Sequence, residues 1–148
     1  MPSFADDPRR GRLVSALVPL LADSCPKGGG GYGGAFEVRL PFSEVEELGG
    51  LGLFRSALRA AGRSLDWKVE TYGVAGAESI AGAVDRREVP AEFAEAIDQH
   101  MGAKKRDAIE RSRPFAATGG AKVTSEPPGV IAAQRLRDAL AADRATLA

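Results

Sequence analysis

Three arginines recur at four-residue intervals in the segment RSALRAAGRS, at Arg55, Arg59 and Arg63, and Lys68 follows them. In a helix this spacing collects the three arginines on one stripe that points away from the apolar face. A guanidinium group presents five N–H donors in a planar fork that matches a phosphate, so the stripe could follow a nucleic-acid backbone. The solvent-exposed face of an ordinary helix can have the same composition, because arginine is a good helix former. A solvated face without a ligand therefore stays open as the alternative.

The segment AKKRDAIERSRPF carries a second basic cluster. Its members are Lys104, Lys105, Arg106, Arg111 and Arg113, with Lys122 further along the chain. Basic helices and tails often contact phosphates, so we predict a second nucleic-acid contact here. The alternatives are solubility or ion pairs with the acidic segment that precedes the cluster, and exposed pairs of that kind contribute only about 0–1 kcal/mol each.

The acidic segment suggests a different type of partner. Residues 64–101 carry three basic and eight acidic side chains, a net charge of −5, whereas residues 102–123 carry six and two, a net charge of +4. Adjacent blocks of opposite sign either attract each other within the fold or face two different partners. A protein partner on the acidic surface is therefore a second prediction, and the candidate residues are Asp85, Glu88, Glu92, Glu95 and Asp98.

The chain lacks the usual signatures of an enzyme or a cofactor site. The glycines of residues 28–34 suggest a phosphate loop, but Lys27 precedes them and a predicted strand follows them, which is the wrong order. Cys25 and His100 could act as nucleophile and base, but no local motif supports that pairing, and His100 has no ligand at metal-site spacing. The carboxylates that step by three along residues 92–98 have the pattern of a solvated face. We therefore expect a non-enzymatic protein without a cofactor or metal.

The composition is that of a single globular domain, with 148 residues of which 44% are hydrophobic and 27% charged. A net charge of zero argues against a generic nucleic-acid binder. One cysteine excludes an internal disulfide and suggests the cytoplasm, and no apolar run approaches the length of a membrane span. The apolar run of residues 13–22 resembles a signal-peptide core, but Asp6, Asp7 and the internal Pro19 argue against secretion.

The elements that position these residues follow from hydrophobic periodicity and from glycine and proline content. We predict an N-terminal helix within residues 1–24, a flexible glycine-rich loop at 25–35, an α+β core domain at 36–112, a Pro/Gly linker at 113–129 and a C-terminal helix at 130–148.

Within the core domain, alternating residues predict a strand at 36–42, and Ser43 with Glu46 has the spacing of a capping box that starts a helix. Glycines near position 50 predict a break before a stronger helix at 51–64. Two further strands form a predicted hairpin, and a helix follows Pro90. The resulting fold class is α+β, a two-layer sandwich of an about three-stranded sheet with helices, plus a tethered C-terminal helix. The strand order stays open.

Two functions are favoured after these considerations, ahead of a small hydrolase or transferase. The first is a small nucleic-acid-associated regulatory or accessory protein that contacts phosphates through the arginine-lined helix. In that case Tyr32, Trp67 and Tyr72 could stack on bases if they are exposed, although a tryptophan on a strand more often belongs to the core. The second is a protein–protein interaction module, such as an inhibitor, an adaptor or a phage-type factor, that uses its acidic surface or terminal helices and could also form a homo-oligomer.

Overall fold

A computed structural model describes residues 4–112 and 128–147. Within those ranges the chain forms a short 3₁₀ turn, five α-helices and three β-strands. In chain order these are the 3₁₀ turn Phe4–Asp6, α1 (Pro8–Asp23), β1 (Ala35–Pro41), α2 (Phe42–Glu47), α3 (Leu51–Ser64), β2 (Val69–Val74), β3 (Glu78–Asp85), α4 (Ala91–Ser112) and α5 (Pro128–Leu147). The predicted α+β class is confirmed, and the predicted linker falls largely outside the described residues.

The three strands form one antiparallel sheet in the order β1-β3-β2. The predicted hairpin joins β2 to β3, and β1 pairs with the other side of β3. Side chains alternate between the two faces, so Val38 of β1, Ala83 of β3 and Thr71 of β2 face the helices. Because β3 lies in the middle of the sheet, β1 and β2 are edge strands. β2 packs beside α3, the helix that carries the three arginines.

The core lies between the helices and one face of the sheet. α3 packs on β2 and β3, α5 packs on β1, and α1 packs against both helices. The predicted apolar face of α3 is buried, as Phe54 and Leu58 show. The C-terminal helix belongs to this core, since Leu136 is buried and Arg137 forms an ion pair with Glu44 of α2 at 2.8 Å.

The glycine break before α3 was predicted correctly from the sequence, whereas the cap of α2 was not. The helix break falls at Gly49 and Gly50, whose φ angles of 114° and 94° favour glycine, and α3 has the predicted bounds. The Ser43–Glu46 capping box is wrong, because α2 begins at Phe42 and no described side chain caps it. Trp67 precedes β2 and is only 5% exposed, which confirms its prediction as a core residue.

The glycine-rich segment between α1 and β1 adopts a defined series of turns. Gly30 has a φ of 63°, and a Cβ added there would clash with the ring of Phe93 on α4. Tyr32 stacks on Phe93 with ring centroids 5.9 Å apart, and Ile97 packs against the loop backbone. The loop predicted as flexible is thus the surface on which the first part of α4 rests.

Candidate nucleic-acid interface

The stripe on α3 lies along the outer edge of the sheet, because the opposite side of the helix is buried. Arg55 donates from Nη2 to the Thr71 carbonyl at 3.2 Å and from Nε to the Thr71 hydroxyl at 3.4 Å. Arg59 donates from Nη1 to the same hydroxyl at 3.2 Å. Thr71 belongs to edge strand β2 and faces the helices. Its neutral oxygens orient two guanidinium groups without cancelling their charge.

Arg63 extends the stripe by one further turn of α3. Its side chain is exposed. Four residues of helix rise by about 6 Å, so Arg59 and Arg63 stand one turn apart along the axis.

A fourth arginine joins the stripe from another helix. Arg10 of α1 donates from Nε to the hydroxyl of Ser56 on α3 at 2.9 Å. Arg10 could not be predicted from the sequence, because periodicity within α1 does not reveal which helix α1 packs against. We call the set Arg10, Arg55, Arg59 and Arg63 the arginine face.

The arginine face differs electrostatically from the arginines that form ion pairs, although Arg12 and Arg135 share its lack of a carboxylate partner among the described residues. Arg9, Arg87 and Arg137 form ion pairs with carboxylates at 2.7–2.8 Å, and Arg86 is paired with Glu70. Over residues 4–112 and 128–147, none of the four members of the arginine face has an ion-pair partner. A net charge of zero over the chain therefore coexists with a local excess of positive charge on this face.

Lys68 does not share this surface. Trp67 is buried and Val69 packs against Gly62 of α3, so both face the helices. Side chains alternate along an extended chain, which turns Lys68 to the other side of the sheet. Its side chain is exposed there, and its backbone N–H donates to Asp85 at 3.2 Å.

The second basic cluster is carried by α4. Lys105 and Arg106 are exposed, Lys104 and Arg111 lie within the helix, and Arg113 and Lys122 fall outside the described residues. This cluster therefore lies on a different element from the arginine face, which is carried by α1 and α3. α4 itself packs on the glycine-rich loop through Phe93 and Ile97.

The acidic candidates divide into two groups. Glu88, Glu92, Glu95 and Asp98 are exposed, as a partner surface requires. The side chain of Asp85 is only 1% exposed and forms an ion pair with Arg87 at 2.8 Å. Asp85 therefore does not belong to that surface.

Asp85 and Arg87 instead hold the glycine-rich loop against the sheet. The Asp85 carboxylate accepts from the backbone N–H of Arg87 at 3.0 Å as well as from its side chain. The Arg87 guanidinium donates to the Gly31 carbonyl at 2.9 Å and lies 4.3 Å from the centre of the Tyr32 ring. The two contacts from Arg87 to the loop join the segment after β3 to Gly31 and Tyr32, and the buried Asp85 carboxylate holds the Arg87 side chain in that position.

The geometry around Cys25 does not favour a nucleophile. Burial raises the pKa of the Cys25 thiol, the nearby Asp85 carboxylate raises it further, and Arg87 only partly opposes them. The Cys25 sulfur lies 3.5 Å from the Gly31 carbonyl oxygen, to which the thiol can donate. A raised pKa reduces the thiolate fraction at neutral pH, and the thiolate is the reactive form.

The described residues contain no group of three or more His, Cys, Asp or Glu side chains placed to hold a metal ion. Of the helices in the described part of the chain, none combines the length and the apolar character needed to cross a membrane. No protein-family model, curated protein or solved structure matches this chain.

Proposed function

We propose that this protein is a small nucleic-acid-associated accessory protein that binds phosphate groups through its arginine face. The observation that carries the proposal is the convergence of four arginines from two helices, none of them paired with a carboxylate in the described structure. A polyanion would supply the missing negative charge.

The shared contact with Thr71 supports phosphate as the ligand. Arg55 and Arg59 both donate to one hydroxyl oxygen, so their guanidinium groups are held close together. Like charges at such a separation repel each other, and an anion between them removes that repulsion. Each guanidinium also keeps N–H donors that Thr71 does not use, and these can form the short, charge-assisted hydrogen bonds that phosphate oxygens accept.

The number of arginines sets the expected salt dependence. Each phosphate neutralised by a basic side chain releases condensed counterions, so affinity falls with salt in proportion to the number of contacts. If all four arginines bind phosphates, the logarithm of the binding constant should fall with the logarithm of salt concentration with a slope of about −3 to −4. Lys105 and Arg106, which are exposed on α4, would steepen that slope if they also contact the strand.

The first prediction compares Arg63→Gln with the matched control Arg86→Gln. Both arginines are exposed, but Arg86 is already paired with Glu70. We expect Arg63→Gln to weaken nucleic-acid binding and to make the salt slope shallower by about one unit, whereas Arg86→Gln leaves the slope unchanged. Fluorescence anisotropy with a labelled oligonucleotide, titrated at several salt concentrations, measures both quantities.

The control also identifies the result that would contradict the proposal. Equal losses in the two variants would mean that binding responds to net charge alone and not to the arginine face. A wild-type protein that fails to bind any oligonucleotide at low salt would remove the proposal altogether.

The acidic surface supports a second proposal, a protein partner of basic character. Its four exposed carboxylates, Glu88, Glu92, Glu95 and Asp98, have no ion-pair partner among the described residues. The terminal helices support it less, because α1 and α5 bury Leu17 and Leu136 in the core of the same chain.

A further inference from the structure

An aromatic ring lies at one end of the arginine face. Phe4 contacts α3 at Gly52, where an added Cβ would stand 3.2 Å from the Phe4 Cζ atom. Gly52 precedes Arg55 by three residues and Ser56 by four, and residues at these spacings are neighbours on a helix surface. Phe4 therefore lies over the part of the α3 surface next to the positions of Arg55 and Ser56, and the Ser56 hydroxyl accepts from Arg10.

The Phe4 ring is fixed in position but only partly covered. The Phe4 carbonyl accepts from the backbone N–H of Asp7 at 3.1 Å, and Asp7 caps α1 by accepting from the N–H of Arg9. These contacts fix the backbone of Phe4 relative to the first turn of α1, which carries Arg10. Phe4 nevertheless remains 44% exposed, which leaves part of its side chain available for contact with a ligand.

The three aromatic residues singled out in the sequence lie elsewhere. Trp67 is buried, and Tyr32 stacks on Phe93 beneath Arg87. Tyr72 lies on the opposite side of the sheet, where its hydroxyl donates to Glu37. Phe4, which the sequence analysis did not select, is the ring that the structure places beside the arginines.

We propose that the arginine face takes single-stranded nucleic acid, with an unpaired base stacked on Phe4 and neighbouring phosphates on Arg10 and Arg55. The inference rests on the proposed function and narrows its ligand class. Bases in a duplex are stacked on one another, whereas unpaired bases are free to stack on an aromatic side chain. Single-stranded DNA and RNA share this chemistry, so both belong to the predicted class.

The test compares Phe4→Ala with Phe4→Trp and with the control Phe42→Ala. Phe42 is similarly exposed but lies on α2. The probes are labelled oligo-dT and oligo-rU of about 12 nucleotides, within the range of sites that single-strand binders cover, and a duplex of equal length. We expect Phe4→Ala to reduce affinity for a single strand about tenfold and to leave duplex affinity unchanged. Phe4→Trp should retain single-strand affinity, which shows that the loss in Phe4→Ala concerns stacking rather than folding.

The outcomes separate this inference from the proposed function. Unchanged single-strand binding by Phe4→Ala, or an equal loss on the duplex and on the single strands, overturns the role of Phe4. The proposed function survives that result if Arg63→Gln still lowers the salt slope. A wild-type protein that binds none of the three probes overturns both. A preference for oligo-dT or oligo-rU that disappears in Phe4→Ala supports the inference and identifies the natural strand.

Discussion

At the scale of single residues, the contact between Tyr72 and Glu37 carries a measurable consequence. Tyr72 crosses over Gly82 on the face of the sheet that the helices leave open, and its hydroxyl donates to the Glu37 carboxylate at 2.9 Å. A side chain on residue 82 would occupy the space of the tyrosine ring. Burial of the hydroxyl is the main cause that raises the pKa of Tyr72 to about 12, and the hydrogen bond to Glu37 is the second.

The raised pKa predicts a loss of stability in strong alkali. The folded state holds the Tyr72 proton up to about pH 12, whereas the unfolded chain releases it near pH 10. The contribution to stability is therefore complete below pH 10 and is lost as the pH rises from 10 to 12. Tyr72→Phe removes this group, so its free energy of unfolding should fall less steeply over that interval.

Urea unfolding of both proteins at matched pH values measures the difference. Lysine titration affects the two chains equally and cancels in the comparison. Parallel stability curves between pH 10 and 12 would show that the Tyr72–Glu37 hydrogen bond does not hold the proton in solution.

At the scale of the elements, the glycine-rich loop shows how a small residue permits close packing. Gly34 stands directly before β1, and a Cβ added there would clash with the indole of Trp67 and lie 3.0 Å from the sulfur of Cys25. Gly11 in α1 is a natural contrast, because no atom lies within 4 Å of its added Cβ. The structure therefore has no room for a side chain at Gly34, whereas it has room for one at Gly11.

Gly34→Ala and Gly11→Ala should change stability in opposite directions. We expect Gly34→Ala to lower the free energy of unfolding by about 1–3 kcal/mol, since Trp67 must move. Gly11→Ala should raise it by up to about 1 kcal/mol, because alanine is the better helix former. Thermal and urea unfolding monitored by circular dichroism measure both changes. Stabilisation by Gly34→Ala would mean that the loop does not pack on Trp67.

Local patterns predicted the elements well where neighbours in sequence decide the structure. The bounds of α3 follow from its own periodicity and from the glycines before it. The glycine-rich loop was predicted as flexible, because its composition does not show that Phe93 and Ile97, more than 50 residues away, pack on it. Arg10 was missed for the same reason, since its contact with Ser56 exists only through the packing of α1 on α3.

At the scale of the whole molecule, α5 closes the helical layer over β1. Leu136 is almost completely buried, and Arg137 reaches Glu44 on α2. Ile131 on the same helix is 41% exposed. Because the C-terminal helix packs on an edge strand far away in sequence, its contacts are part of the stability of the entire fold.

Leu136→Ala is expected to lower the free energy of unfolding by about 2–5 kcal/mol, the usual range for a leucine removed from a core. The matched control Ile131→Ala should stay within about 0.5 kcal/mol of the wild type, because its side chain is partly in solvent. Urea unfolding followed by tryptophan fluorescence measures both, since Trp67 is buried in the native state. Similar values for the two variants would show that α5 is not docked.

The strand order and the position of Arg10 in the arginine face could not be predicted from the sequence, because both depend on contacts between distant segments. The prediction of an α+β fold needed only element types, and it is confirmed. The prediction of a basic stripe needed only one helix, whereas placing Arg10 and Phe4 next to it required the arrangement of three segments.

The separation of β1 and α5 along the chain has a consequence for synthesis on the ribosome. Leu40 of β1 faces the helical layer, and Leu136, which helps to cover β1, follows it by 96 residues. At a translation rate of about 5–20 residues per second, Leu136 is synthesised about 5–20 s after Leu40. The apolar side of β1 lacks the contacts of α5 during that time. The nascent chain therefore exposes an apolar surface for several seconds, and a chaperone would bind it during that period.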